Sequence, residues 1–391
     1  VKKIKLIDLW IAIPYVLLLG IGVVMVYSSS FYNTMVQGGN TTSYLIKQAL
    51  FALVGMGVCF LAFMLKENIL KSRGVLVILG IVTWTSLLFL LVKGFVSPSS
   101  RVNGASGWID LKFFNFQPLE LAKIVFILYL ALVLTSKEDR LGDMTIGAMY
   151  RDNKAQFWFL FTIIVMVFAQ PDVGGSMILT VLCIVLISAS SMPSKTMIIM
   201  NSSIIGLAAA GLTFVLTVKP SFFVHTYQYQ RFLAMLHPFA LEKNAGAQIV
   251  NSFYAISNGG IFGVGLGNSI QKRGYLPEPH TDFILSIISE ELGLVGVLIV
   301  LGLLTTMMLR MLLMGIRSKN TYTSLVLYGV ATMMLTQTVL NVGGLLGFIP
   351  LTGVTLPFIS YGGSSMIILS LALGIVLNLE ASEKYQSIKS R

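Results

Sequence analysis

The sequence predicts an all-α polytopic membrane protein that crosses the bilayer about ten times. Three observations predict it. Of 391 residues, 55% are hydrophobic and only 11% are charged. Apolar runs of about 20 residues, enough to span a hydrocarbon core, recur along the whole chain. Lysines and arginines gather in the short stretches between alternate runs, as the positive-inside rule requires. The net charge of +11 therefore reads as topology and not as a nucleic-acid footprint. No charge run or low-complexity tail marks off a second domain, so residues 1–391 are read as one transmembrane domain.

The first run, near 9–29, follows Lys2, Lys3 and Lys5 and looks like a signal peptide. It is longer than a typical h-region and lacks a small-x-small cleavage site, so it is read as a retained span. Runs near 46–65, 73–94 and 118–135 follow. The fifth and sixth, near 157–170 and 172–191, are separated only by Gln170-Pro171-Asp172 and resemble a broken hairpin. The seventh lies near 202–219, and a long loop of about 220–281 precedes the eighth, near 283–309. Runs near 323–346 and 356–379 complete the set. Cys59 and Cys183 lie in separate apolar runs and are read as small buried hydrophobes, with neither a disulfide nor a metal site.

Most of the 27 lysines and arginines fall in segments that are cytoplasmic if the N-terminus is inside. Both termini are then cytoplasmic, and the long loop faces out. The even-numbered runs begin at the outer surface, with Pro118, Pro171, Pro279 and Pro357 at or just before their starts. Proline suits a first helical turn, where its missing N–H has no partner. Such helix starts also present unpaired N–H groups and a positive dipole end, so several together favour an anion. Each proline taken singly is explained as a plain helix start.

Acids inside apolar runs are costly and call for a reason. Asp282, Ser286, Ser289, Glu290 and Gly293 share one face of a helix and read as the wall of a cavity. Glu291 points about 100° away and needs another partner. Asp282 is equally explained as an N-cap. Glu120 and Lys123 share a face of the fourth run, at the spacing of a buried ion pair that fixes packing. Gly259, Gly260, Gly263, Gly265 and Gly267 cluster in "NGGIFGVGLGNS", without the spacing or strand–helix setting of a dinucleotide site. The stretch "ISYGGSS", with Ser360, Gly362 and Gly363, is expected in the first turns of the tenth run, where its glycines suit either phosphate contact or close helix packing.

Four stretches carry a resemblance: "GWIDLKFFNFQPLELAK", "AQPDVGGS", "NGGIFGVGLGNSIQKRGYLPEPHTDFILSIISEELG" and "PLTGVTLPFISYGGSS". Together they resemble the SEDS family (shape, elongation, division and sporulation), over nearly the whole chain. The wording of "GNSIQKRGYLPEPHTDF" is nearer the division branch than the elongation branch. Gly107 stands where many relatives carry arginine, and Arg101 is the candidate substitute.

The resemblance implies a peptidoglycan glycosyltransferase of the bacterial plasma membrane. It would polymerise lipid II at the outer leaflet, at the division septum, beside a class B penicillin-binding protein and other divisome proteins. It places the catalytic acid on Asp282 and the structural ion pair on Glu120 and Lys123. The chemistry needs a base for the attacking hydroxyl and positive charge for a lipid pyrophosphate leaving group. Lys272, Arg273, Arg231 and Lys243 are the candidate cations, and Glu290, Ser360, Gly362 and Gly363 are candidate cavity residues. His280 either orients the acid or substrate or belongs to a capping loop. A divalent cation (Mg or Mn) is compatible with pyrophosphate, although no ligand cluster specifies one. Displacement with inversion would give a β-linked glycan. The rival readings are a flippase for the same lipid, which Glu290 and the broken hairpin favour, a non-catalytic scaffold, and an elongation-branch homologue.

Overall fold

A computed structural model of the chain describes residues 3–96, 107–111, 115–136, 138, 147, 151–218 and 226–389, with the side chains at 212 and 216 left aside. In chain order the principal helices are α1 (Leu9–Val36), α2 (Ser43–Met64), α3 (Arg73–Val96), α4 (Pro118–Thr135), α5 (Lys154–Ala169) and α6 (Val173–Ser188). They continue as α7 (Ser194–Val218), α8 (Tyr227–Leu236), α9 (Ala247–Gly259), α10 (Ile284–Arg317), α11 (Thr321–Leu345) and α12 (Gly363–Lys389). Eight of them are long and apolar enough to cross a membrane: α1, α2, α3, α4, α7, α10, α11 and α12. Helices α5 and α6 match the predicted fifth and sixth runs but have only 16 residues each. Arg101 lies outside the described residues.

Helices α4, α11 and α12 form the centre of the bundle. Helix α12 packs along α2, and α11 packs against α10, α6 and α4. Glycine and serine let the α2–α12 seam close. Gly55 lies against Ser370, whose hydroxyl accepts a hydrogen bond from Tyr15 at 2.8 Å. A Cβ at Gly374 would collide with the backbone of Cys59. Cys59 is accordingly buried, while Cys183 is half-buried, and both are free thiols. Helix α7 sits at the periphery and is largely exposed.

Polar ties join α1 and α10 at two levels. At one end Asp8 accepts two hydrogen bonds from Arg310, at 3.0 and 2.6 Å, and caps α1 through the Trp10 N–H. At the other end the Ser28 hydroxyl donates to Glu291 at 2.6 Å, and the Lys272 ammonium donates to Glu291, also at 2.6 Å. Roughly 30 Å of helix separates the two ties along either helix. That is the thickness of a hydrocarbon core.

Three expectations are corrected. The long connection of about 220–281 is not wholly a loop, since among its described residues it contains α8 and α9. The tenth run does not become helical at Pro357. Phe358 takes a left-handed φ of 62°, the chain turns, and α12 starts only at Gly363. That leaves Pro357, Ser360 and Gly362 in a turn. The eighth run does not hold one face from Asp282 to Gly293 either. Asp282 precedes the helix, whose cap is Phe283, and Gly293 breaks it with φ 68° and ψ −168°. A further element has no counterpart in the expected all-α architecture: a ribbon of two short antiparallel strands, Ile109–Asp110 and Asn115–Phe116.

The break at Gly293 explains the glycine cluster. A kink frees backbone groups that must find other partners. The loop after α9 supplies them. Val264 and Gly265 donate to the carbonyls of Glu290 and Glu291, at 2.9 and 3.0 Å, while Leu294 and Val295 donate to Gly260 and Ile261, at 2.9 and 3.2 Å. Gly263 requires its glycine twice over, having φ 80° and backbone atoms of α10 where a Cβ would stand.

Candidate active site

The elements that begin near α4 and α6 bring several charged groups to one end of the bundle. Pro118 opens α4, which positions Glu120 and Lys123 one turn apart. They meet as a buried ion pair at 2.8 Å, with the second carboxylate oxygen of Glu120 unpaired. Asp172 caps α6 by accepting from the Gly175 N–H at 2.7 Å. The charges of Lys123, Glu120 and Arg231 all bear on Asp172, so these groups share one neighbourhood. Burial is the largest influence on Asp172 and pushes its carboxyl above the usual range.

Asp282 is held beside this group by its backbone, leaving its side chain free to act. The Asn341 amide donates to the Asp282 carbonyl and to the Val354 carbonyl, both at 2.9 Å, and so clips the Asp282 turn to the segment before α12. Ser360 strengthens the clip by donating to the Thr281 carbonyl at 2.7 Å and accepting from the Leu356 N–H at 2.9 Å. No helix-capping bond is formed by a side chain at the start of α10, so the N-cap reading of Asp282 is not met.

Arg231 faces the acid. It projects from α8, donates to the Leu351 carbonyl at 2.5 Å, and lies over the Tyr227 ring with 4.4 Å to the centroid. Gly353 separates it from Asp282. A Cβ placed there would stand 3.5 Å from the carboxylate and 3.9 Å from the guanidinium. The half-buried Asp282 carboxyl is pushed up to about 6, mainly by burial, against the lowering effect of Arg231. Such a group is roughly nine-tenths ionised at pH 7 yet accepts a proton readily.

The other candidates separate into groups. Lys272 is buried on Glu291 and is not available as a phosphate ligand. Glu290 does not line an open cavity. It is buried and accepts from Asn258 at 2.9 Å, from the Ile270 and Gln271 N–H groups at 3.0 and 3.2 Å, and from the Ser269 hydroxyl. Those donors stitch the returning loop to α10. Arg273 and Lys243 are exposed on the loop surface. Ser360 is committed to the clip, and Gly363 packs against the Phe51 ring. Gly362 has ordinary clearance from Ser365 and Thr355.

His280 lies between two tyrosines, with ring centroids 4.6 Å from Tyr44 and 5.5 Å from Tyr361. Burial lowers its pKa to about 4, so its ring is neutral at pH 7. Among the described residues, no group of three His, Cys, Asp or Glu side chains is placed to hold a metal ion.

Two residues of the site were not singled out from the sequence. Asp172 was legible only as a break between runs, and Asn341 as one of two amides, with Gln337, within an apolar span. A polar residue at such a depth was itself the available signal.

Comparison with known proteins gives a consistent result. Residues 9–385 match the FtsW, RodA and SpoVE family, described as cell cycle proteins. The chain is 38% identical to the probable peptidoglycan glycosyltransferase FtsW of Lactococcus lactis, covering 97% of this chain and 93% of that protein. It is 35% identical to the protein of the same description in Bacillus subtilis, over 100% of this chain and 94% of the relative. Stage V sporulation protein E of Bacillus subtilis is 33% identical, with 97% and 98% covered. Among solved structures, one similar chain comes from a peptidoglycan synthase complex described for its coordination of polymerization and crosslinking. It matches with a TM-score of 0.72 and 27% identity, over 96% of this chain and 98% of that one. The rod shape determining protein RodA of Thermus thermophilus shares the fold, with a TM-score of 0.66 at 24% identity over 96% and 97%.

Proposed function

This chain belongs to the FtsW, RodA and SpoVE family of cell cycle proteins, and we propose that it is a peptidoglycan glycosyltransferase that polymerises lipid II during cell division. In this reading the Asp282 end of the bundle faces outward and both termini are cytoplasmic. Charge asymmetry along the sequence supports that orientation. Relatives described as FtsW support the division role, and the similar chain in a synthase complex supports a transpeptidase partner of the class B penicillin-binding type.

The observation that carries the reaction is Asp282. Its backbone is pinned by Asn341, its carboxyl is held near neutrality, and a guanidinium stands across Gly353. A sugar hydroxyl of the acceptor attacks the anomeric carbon of the donor, and Asp282 takes the hydroxyl proton. The bond from that carbon to the pyrophosphate oxygen breaks as the new glycosidic bond forms. Arg231 and the nearby starts of α4 and α6 favour the charge that collects on the leaving group. Attack opposite the departing oxygen inverts the anomeric centre.

The flippase alternative loses one of its supports, because the Glu290 carboxylate is buried and satisfied by the loop. The test of the proposal is synthesis of glycan from purified lipid II by the purified protein, with and without its transpeptidase. Lipid II moved across liposomes without any polymer formed would favour the alternative.

A further inference from the structure

The glycine-rich loop carries an apolar surface with no role in the site described above. Between Asn258 and Ile270 the chain has no charged residue. Ile261, Phe262, Leu266 and Ile270 are exposed there, Phe262 to 81%. Exposed side chains of this size in succession mark a contact surface.

The level of this loop in the molecule is fixed by its hydrogen bonds. It is bonded to α10 at Glu290, Glu291, Leu294 and Val295, the level of the Ser28–Glu291–Lys272 tie. That tie stands roughly 30 Å along the helices from the Asp8–Arg310 tie, where the exposed Trp10 suits an interfacial belt. The two ties therefore bracket one hydrocarbon thickness. Helix α9 brings the chain down to the boundary, with Ser252 bonded to Ser286 and Gly259 packed on Ser289. Residues 268–282 then return it to the acid.

We infer that this loop is a re-entrant foot whose apolar side chains are seated among the lipid acyl chains at the boundary of the leaflet on the Asp282 side. Irregular backbone is excluded from lipid unless its polar groups are satisfied. Here the broken turn of α10 pairs four of them, the N–H groups of Val264 and Gly265 and the carbonyls of Gly260 and Ile261, so the kink and the glycines serve the same end. The surface is continuous with the exposed Leu294 and Leu298 on α10, which face lipid just below it. Lys272, the first cation after the foot, turns inward to Glu291, and the exposed Arg273 suits the headgroup phosphates. The foot anchors the hairpin that ends at Asp282. The inference stands on geometry and does not require the glycosyl transfer proposed above.

The experiment uses the full chain with Cys59 and Cys183 replaced by alanine, purified and reconstituted in bilayers of phosphatidylcholine and phosphatidylglycerol. A single cysteine replaces Phe262, Leu266 or, as the control in the exposed turn before α9, Asn244, and carries a bimane probe. At 262 and 266 the emission is expected to be blue-shifted. It should be quenched strongly by lipids brominated near the glycerol end of the acyl chains, less by lipids brominated near the tail end, and little by iodide in the water. The control should behave in the opposite way. Strong iodide quenching at 262 and 266 would place the loop in water and overturn the inference. Quenching by neither agent would place protein over the surface and overturn it equally. Two positions are read so that one poorly folded variant does not decide the result.

Discussion

Lys272 and Glu291 meet at 2.6 Å, both buried, and Ser28 of α1 joins them. The lysine that reads in the sequence as a phosphate ligand is therefore spent on holding the returning loop to α1 and α10. Breaking such a pair leaves an uncompensated buried charge, at a cost of about 3–5 kcal/mol. Lys272→Met and Glu291→Gln should each lower the unfolding temperature in detergent markedly. Lys272→Met combined with Glu291→Met should recover much of the loss. Unchanged melting in both single variants would show that the pair is not coupled.

Glu120 and Lys123 make the corresponding prediction inside α4. Either single removal should reduce folded yield and activity, and a charge swap should restore part of both. The measurement is fluorescence-detected size exclusion followed by a polymerisation assay. Two single variants that behave as the parent would place the pair outside the site's support.

The strained glycines give a third prediction. Gly263→Ala would put a Cβ into the backbone of α10 at a left-handed φ. Such strain costs of order 1–3 kcal/mol, before any steric adjustment. Gly57→Ala, in open space on α2, is the control. Loss of folded protein is expected in the first variant and not in the second.

These cases show where sequence reasoning reached and where it stopped. The Glu120–Lys123 pair was legible because residues three apart on one helix are neighbours by geometry alone. The apolar runs were legible for the same local reason, and among the described residues eight of the helices found there are long and apolar enough to cross a membrane. The Lys272–Glu291 pair was not legible, since its partners meet only after a loop folds back on a kinked helix. Nor was the late start of α12, which depends on a left-handed phenylalanine that no propensity favours. Asp282 was legible as an acid at a helix start. Its freedom from capping depends on Asn341 and Ser360 holding the backbone, which is a tertiary fact.

The pH dependence follows from the Asp282 carboxyl, raised to about 6. The base proposed here acts in its ionised form, so polymerisation should rise with pH through about 6 and level off above it. Arg231→Gln removes a lowering influence and should move that limb to higher pH. The folded state binds this proton more tightly than the unfolded chain. The contribution of Asp282 to stability therefore falls as pH climbs from about 4 to about 6. Asp282→Asn removes that loss, and the variant should be no less stable than the parent at pH 7. A limb that stays in place in Arg231→Gln would separate the arginine from the acid.

Lipid II polymerisation by purified Asp282→Asn, measured beside its thermal unfolding, tests the proposed role of Asp282 most directly. The amide keeps the shape but cannot take the acceptor proton. The expected result is a folded, partner-binding protein whose polymerisation falls by on the order of 100-fold or more. Glu290→Gln, in contrast, should act through stability and loop order. Parent-level glycan synthesis by folded Asp282→Asn would contradict the assignment of Asp282 as the base.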